Sequence, residues 1–384
     1  MRLIHTADWH LGRLFHGVHL TEDQGYVLAQ LIELVREVRP HALVIAGDIY
    51  DRAVPPPDAV TLLDETLTEI ALGIGVPVIL MAGNHDSPDR LGFGAKLMSA
   101  RHVHVFGRLT AEIEPVTLED EHGPVNVVVL PYAEPAVARE RLADPTLQDH
   151  GGVLRALTDR ARASISDGGR AVLVTHAFAA GGEVSESERP LSIGGASTVD
   201  SGCFAGFHYT ALGHLHRPQS VGSDRVQYSG SLLKYSFSEA QHTKSVSLVE
   251  MGADGAVRVE RLPLLPRRDV RVLRGSLAEV LERGRQDDGR EDYMLVELAD
   301  RGALLDPIGR IREVYPNCLQ LDRSAFFSGN ASTEAGAPVD HRSRSADELF
   351  ADFMQEVTSE PPSAEESAAF REIVEAMERR EREA

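Results

Sequence analysis

The stretch VPVILMAGNHDS (76–87) sets a six-residue, mainly apolar run against Gly83, Asn84, His85 and Asp86. A short apolar run bounded by turn-forming residues reads as a strand buried on both faces. The loop that leaves this strand carries an amide, an imidazole and a carboxylate in consecutive positions. One such cluster decides little, and its weight depends on the others like it. RLIHTADWH (2–10) runs into Asp8 and His10, and LVIAGD (43–48) into Asp48. AVLVTH (171–176) ends in His176, and HYTALGHLH (208–216) delivers His214 and His216. Residues i and i+2 of an extended chain point the same way, so Asp8 with His10, and His214 with His216, can each reach one place.

Between these strands lie segments of helical periodicity. EDQGYVLAQLIELVREV (22–38) spaces its apolar residues for a helix and is stopped by Pro40; 57–72 and 151–164 repeat the pattern. Strand–helix alternation of this kind predicts an α/β architecture. In an open α/β sheet the strand ends converge on one crevice. From about 225 to 262 the pattern changes to antiparallel strands: VQYSGS, SVSLVEM and AVRVERL, with a turn at 253–255. The first domain is therefore expected over 1–266. A small α+β domain follows over 267–324, then a flexible linker over 325–344, rich in small and polar residues. The segment 345–384 is expected to form two helices, each opened by an S-x-x-E capping box (Ser345 with Glu348, Ser363 with Glu366) and separated by Pro361 and Pro362. Their apolar stripes, Leu349, Phe350, Phe353, Met354 and Val357 on one and Phe370, Ile373, Val374 and Met377 on the other, would either dock on the chain's own first domain or bind a partner, and the flexible linker favours the partner.

Composition narrows the function classes. The 384 residues are 42% apolar, enough for a sizeable core, and contain two cysteines, Cys203 and Cys318, too few for a disulfide framework or a thiolate metal site. The start, MRLIHTADWH, has no basic n-region, and no segment reaches the ~18 uninterrupted apolar residues of a membrane helix. A cytoplasmic protein with no membrane association is the expectation. The formal net charge is −20. Residues 345–384 hold 4 arginines and 12 acidic residues, or −8, which leaves −12 on the remainder. Such a chain does not grip nucleic acid by bulk electrostatics; contact would need local patches, metal ions or a partner.

Asp8, His10, Asp48, Asn84, His176, His214 and His216 make seven oxygen or nitrogen ligands and no sulfur. That is more than one divalent ion normally takes, and with one bridging carboxylate it suits two. The mix of imidazole, carboxylate and amide favours Mn2+, Fe or Zn2+ over Mg2+ or Ca2+. Paired ions ~3.5–4 Å apart are the usual device for in-line displacement at phosphorus. His85 is left over for proton transfer. Asp86 would either orient that imidazole or cap the turn before Ser87-Pro88. Arg13, Arg52 and Arg90 flank the motifs as candidate phosphate contacts. His5 lies within a strand and reads as a core residue.

The order D-x-H, G-D, G-N-H-D, H, G-H-x-H resembles the calcineurin-like metallophosphoesterases. RLIHTADWHLGR, AGDIYDRAVPP, LMAGNHDSPDRL and YTALGHLHRPQSVGSDRVQYSGSLLKYSFSE are similar, more narrowly, to the SbcD family of double-strand-break-repair nuclease subunits. The resemblance covers about residues 1–265. It implies a metallophosphoesterase β-sandwich flanked by helices, with an α+β capping domain and a C-terminal helical pair. It implies two divalent ions, Mn2+ foremost: Asp8, His10 and His216 on one, Asn84, His176 and His214 on the other, Asp48 bridging, and His85 as general acid. It further implies exonuclease and endonuclease action on double-stranded DNA ends and hairpins in repair and recombination. The implied partner is an SMC-like ATPase of the SbcC type, and the implied assembly a homodimer, formed through helices near 57–72 and 88–100, within a heterotetramer. One departure stands out: relatives often carry a His three residues after the bridging Asp, where this chain has Asp51, so that residue's DNA-contacting role is not transferred. A small-molecule phosphatase or cyclic-nucleotide phosphodiesterase would use the same metal set, and a non-catalytic scaffold would retain the fold; both readings stay open at the level of sequence.

Overall fold

The computed structural model describes residues 1–165, 168–189, 198–300, 304–323, 345–358 and 360–383. The chain divides into two units, Met1–Val270 and Arg271–Ala384.

The first unit is built on two six-stranded sheets. In the first sheet β1 (Arg2–Thr6) pairs in parallel with β4 (Ala42–Ile45), which pairs in parallel with β5 (Val78–Met81) and then β6 (Val103–Phe106). On the other side of β1 lie β15 (Ser245–Met251) and β16 (Val257–Pro263), both antiparallel to their neighbours. The second sheet also has a parallel centre, but carries one antiparallel strand at each edge. Parallel strands β8 (Gly123–Leu130), β9 (Arg170–His176), β12 (Tyr209–Gly213) and β14 (Ser223–Tyr228) form its centre. Antiparallel β7 (Val116–Asp120) and β13 (Gln219–Val221) close its edges. Two short pairs stand apart from both sheets: β2 (Leu14–Phe15) with β3 (Val18–His19), and β10 (Phe178–Ala179) with β11 (Thr198–Val199).

The two sheets face each other across one core. Leu3, Val44, Ile79 and Met81 of the first pack with Val127, Val129, Val172, Val174 and Tyr209 of the second. Alternate residues of the same strands, Val128, Leu130 and Leu173, face the other way and pack with Leu142, Leu154 and Leu157 of helices α5 (Pro135–Leu142) and α6 (His150–Ala163). Strands covered on both faces need no polar alternation, which is why they read as unbroken apolar runs. Helix α1 (Thr21–Val38) buries Val27, Leu28, Leu31 and Val35. Helix α2 (Pro57–Thr68) runs on as a π-helical turn over Glu69–Ile74; two short helices, α3 (Pro88–Leu91) and α4 (Ala95–Ser99), follow β5. The expected architecture, a sandwich flanked by helices, is the one observed. His5 is indeed a core residue: it is buried and hydrogen-bonded to Tyr209 Oη (2.8 Å) and the Leu212 carbonyl (3.2 Å), and burial pushes its pKa down to about 3.

The second unit begins with a three-stranded sheet, β17 (Val270–Gly275), β18 (Tyr293–Leu298) and β19 (Cys318–Asp322), in that spatial order. Helices α7 (Leu277–Gly284) and α8 (Pro307–Arg312) complete a core of Leu273, Val280, Met294, Val296, Ile311 and Tyr315. Two helices follow, α9 (Ala346–Thr358) and α10 (Ala364–Glu383). Both expected capping boxes are formed, with reciprocal bonds between Ser345 and Glu348 and between Ser363 and Glu366. The rings of Phe350 and Phe370 stack at 4.1 Å, so the pair forms a helical hairpin. The linker expected over 325–344 lies outside the described residues.

Candidate metal centre

The ligands sit where the parallel strands of both sheets end. β1 delivers Asp8 and His10, β4 delivers Asp48, β5 delivers Asn84 and His85, β9 ends on His176, and β12 delivers His214 and His216. The chain must turn sharply at each exit. Asp8, His10, Asp48 and His214 all take positive φ (54°, 46°, 50° and 108°), a conformation costing of order 1–3 kcal/mol per non-glycine residue and held only where the surroundings impose it. Close approach of the loops needs glycine in front of the ligands. A Cβ on Gly83 would lie 2.2 Å from Asp48 Oδ1, and one on Gly213 would lie 1.9 Å from the Ala46 carbonyl oxygen.

The side chains converge. Asp8, His10 and His216 form one buried group able to hold a cation, and Asp8, Asp48 and His176 a second. Asp48 Oδ2 lies 3.5 Å from His176 Nε2, 3.7 Å from His10 Nε2 and 3.9 Å from His85 Nε2, central to the cluster. Asn84 Oδ1 is 2.8 Å from His176 Nε2. The His214 ring packs beside that of His176, with centroids 5.4 Å apart. Backbone bonds fix the carboxylates: the His214 N–H donates to both oxygens of Asp8 (2.9 and 3.1 Å), and the His85 N–H donates to Asp48 Oδ1 (2.9 Å).

The donor set calls for cations. Nδ1–H of His176 donates to the Ala46 carbonyl (3.0 Å), so its Nε2 is left with a lone pair that faces the Asn84 oxygen. Nε2 of His216 faces Nε2 of His10 at 3.1 Å, and buried His10 Nδ1 has no hydrogen-bond partner among the described residues. Burial, reinforced by the neighbouring histidines, holds His10 and His214 well below the usual imidazole pKa; burial also lowers His176, against the charge of Asp48. Burial and the adjacent Asp48 raise the Asp8 carboxyl. Neutral imidazoles with converging lone pairs, around carboxylates that repel each other, are the environment a divalent ion relieves. The residues present fit two such ions.

His85 is oriented differently from expectation. Its Nδ1–H donates to the Asp51 carbonyl oxygen (2.8 Å), which leaves Nε2 toward Asp48. Asp86 does not orient it. The buried Asp86 carboxylate instead accepts three backbone N–H groups, from Ile49 (3.0 Å), Tyr50 (2.9 Å) and Gly83 (2.9 Å). It thereby ties the loop carrying Asp48 to the loop carrying Asn84, while Ser87, not Asp86, caps the helix that starts at Pro88. Arg13 lies at the rim, bonded to Asp51 Oδ1 (2.9 Å) and set over the Tyr235 ring (5.0 Å). Arg52 and Arg90 are exposed, and the structure brings neither into the cluster.

Sequence reasoning missed a layer behind the ligands. Asp51 lies 3.7 Å from His10 Nδ1 and groups with His10 and His85 as a third potential cation site. Behind His216 lie Ser187, Glu188, Glu239 and Lys244. Burial alone would raise the Glu239 carboxyl, but Lys244 and the bonds it receives hold it well below the usual range. Nothing in the sequence marks this layer, because the burial of Glu239 and Lys244 is a property of the fold.

Comparison with known proteins agrees with this geometry. Residues 1–218 match the family model described as calcineurin-like phosphoesterase, and residues 266–358 match one named SbcD_C and described as the type 5 capsule protein repressor C-terminal domain. The chain belongs to the calcineurin-like phosphoesterase family, and so to the metal-dependent phosphoesterases. Solved structures that are similar include a protein from Thermus thermophilus (14% identity, 68% of this chain and 98% of that one, TM-score 0.37). Others are a dimetal phosphatase from Danio rerio (13%, 69% and 98%, 0.37) and Yfce, a phosphoesterase from E. coli (17%, 69% and 100%, 0.27). No helix among the described residues is long and apolar enough to cross a membrane.

Proposed function

We propose that this chain is a DNA phosphodiesterase of the SbcD type, the nuclease subunit of a complex with an SMC-like ATPase of the SbcC type, cutting DNA ends and hairpins as exonuclease and endonuclease in repair and recombination. The observation that carries the reading is the pairing, in one chain, of the buried ligand cluster with a C-terminal region matching the SbcD_C model. A phosphatase or cyclic-nucleotide phosphodiesterase needs the first and has no use for the second.

Asp8, His10 and His216 would hold one ion, Asn84, His176 and His214 the other, and Asp48 both, with Mn2+ as the preferred metal. Such a pair supplies Lewis acidity toward phosphoryl oxygens and activates water near neutral pH. The rest falls to the chain. The hydrogen bond from His85 Nδ1 to Asp51 fixes the ring, so that in the imidazolium form a single proton, on Nε2, can be passed to the departing 3′ oxygen. Asn84 borders an open cavity of about 380 Å³ that has room for a strand; Arg108 and Arg141 line it together with Asp86, Asp89 and Glu134, and Arg108 is paired with Asp89. Arg13, Arg52 and Arg90 supply further phosphate contacts on a chain whose net charge is unfavourable.

The α9–α10 hairpin exposes Phe353 and Ile373 and is the docking element for the ATPase subunit. Val60 and Leu72, on α2 and its π-helical extension, and Phe93 and Leu97 near 88–99 are exposed large apolar residues that suit the homodimer contact within a heterotetramer. The test is cleavage of end-labelled duplex and hairpin DNA with Mn2+ or Mg2+, with and without the ATPase. Metal-dependent cleavage of DNA supports the reading; turnover of nucleotide esters without cleavage of DNA overturns it.

A further inference from the structure

Every polar group of His216 but one is held by protein. Its N–H donates to Glu188 Oε1 (2.8 Å), and its carbonyl accepts from Lys244 Nζ (2.7 Å) and the Ser231 N–H (3.2 Å). Its Nδ1 lies 2.6 Å from Ser187 Oγ and, more distantly, 3.4 Å from Glu239 Oε1. Ser187 has one hydroxyl proton, and Glu239 Oε1 takes it. Glu239 is a buried carboxylate locked to Lys244 Nζ at 2.5 Å and also accepts from the Tyr235 N–H (3.2 Å). It has no proton to give, so Ser187 Oγ accepts from His216 Nδ1–H. The tautomer follows: the remaining polar atom of His216, Nε2, carries the lone pair and faces His10 and the cluster.

We propose that Ser187, backed by the buried Glu239–Lys244 pair, is the positioning residue of His216: it fixes the Nδ1–H tautomer, so that Nε2 is offered to a metal ion. This rests on the metal-centre reading above. Ser187 comes from the segment 183–189, which follows β10 and is not itself a strand end. That segment is fastened by the Ser187–Glu239 bond and by Arg13, whose Nη2 donates to the Ser187 carbonyl (3.4 Å). The half of the centre formed by Asp8, His10 and His216 is therefore completed from outside the strand ends. The half formed by His176 and Asn84 is not, because His176 takes its orientation from the Ala46 carbonyl. Partners that orient a metal-binding imidazole typically change metal affinity 10–100-fold when removed.

The experiment is a Mn2+ titration of the full chain, read by the electron paramagnetic resonance of the free ion, on the parent, Ser187→Ala and Ser187→Thr. Nitrogen-15 NMR of histidine in the metal-free proteins reports the tautomer and confirms a folded chain. The parent is expected to bind two ions. Ser187→Ala should weaken one of them by about 10–100-fold, leave the other unchanged and lose the fixed Nδ1–H signal. Ser187→Thr, which keeps the hydroxyl, should restore both. Parental binding by Ser187→Ala, or a Thr variant as weak as the Ala variant, would overturn the proposal while leaving the metal centre standing. A parent that binds no Mn2+ would overturn the metal-centre reading itself. If Ser187→Ala does not fold, the tautomer in the parent decides: a proton on Nε2 and none on Nδ1 contradicts the assignment.

Discussion

Replacing Asp86 separates two roles a buried carboxylate next to a candidate catalytic histidine could have. Its oxygens accept the N–H groups of Ile49, Tyr50 and Gly83, and no bond links it to His85. In Asp86→Ala three buried donors lose a charged acceptor. At about 1.5 kcal/mol each the loss is roughly 4–5 kcal/mol. Most of that is offset, because burial and the charge of Asp48 push the Asp86 carboxyl up to about 7, and removing it relieves a cost on the order of 3–4 kcal/mol. The net expectation is a destabilisation of about 1 kcal/mol. At about 2–4 °C per kcal/mol for a domain of this size, the melting temperature should fall by about 2–4 °C. Asp86→Asn keeps one oxygen and should fall in between. Thermal unfolding of the metal-free proteins gives both values, and metal titration should show weaker binding, because the Asp48 and Asn84 loops lose their common anchor. A variant as stable as the parent, with full metal content but slowed release of a poor leaving group, would refute this reasoning and restore Asp86 as the residue that orients His85.

His5 gives a pH signature. Its folded-state pKa of about 3 lies below the ordinary 6.5, so protonation favours the unfolded chain; its contribution is whole above pH 6.5 and is lost as pH falls toward 3. At pH 4.5 that is on the order of 2–3 kcal/mol, and a His5→Gln variant should show a correspondingly shallower fall in unfolding free energy between pH 7 and 4.5; equal slopes would count against a buried neutral His5. For His85→Asn, both ions should remain bound and hydrolysis of DNA should drop ~10²–10⁴-fold, with a much smaller loss on an aryl phosphodiester whose leaving group departs without a proton; equal losses would mean that His85 is not the acid. Truncation before Ser345 should leave metal content unchanged and abolish co-purification with the ATPase subunit; retained association would send the helical hairpin back to a purely internal role.

The seven candidate ligands were legible as strand-end residues because each follows a buried parallel strand; Asp8, His10, Asp48, His176 and His216 fall in cation-sized groups, and Asn84 and His214 pack against His176. The sandwich was less so: both sheets have parallel centres, and of the three segments read as antiparallel, β15 and β16 are so, whereas VQYSGS falls in β14, parallel to β12 and antiparallel only to β13. The edge strands β6 and β7 went unread because VHVF and VTLED are short and half-buried. Asp86 was left with two readings, and its tie to Ile49, Tyr50 and Gly83 went unread, because adjacency to His85 in sequence says nothing of where its carboxylate points once the chain turns. Ser187, Glu239 and Lys244 were invisible for a different reason. Their bonds to His216 span 29, 23 and 28 residues, and serine, glutamate and lysine are ordinary surface residues until packing buries them.

The central claim is that strand ends from two sheets build a centre for two divalent ions with Asp48 common to both. The most direct measurement is the number of Mn2+ ions bound per chain, by elemental analysis after dialysis, for the parent, His10→Ala and Asp48→Ala. The account predicts two, about one and close to none. Two tightly bound ions in Asp48→Ala, or a parent that retains none, would contradict it.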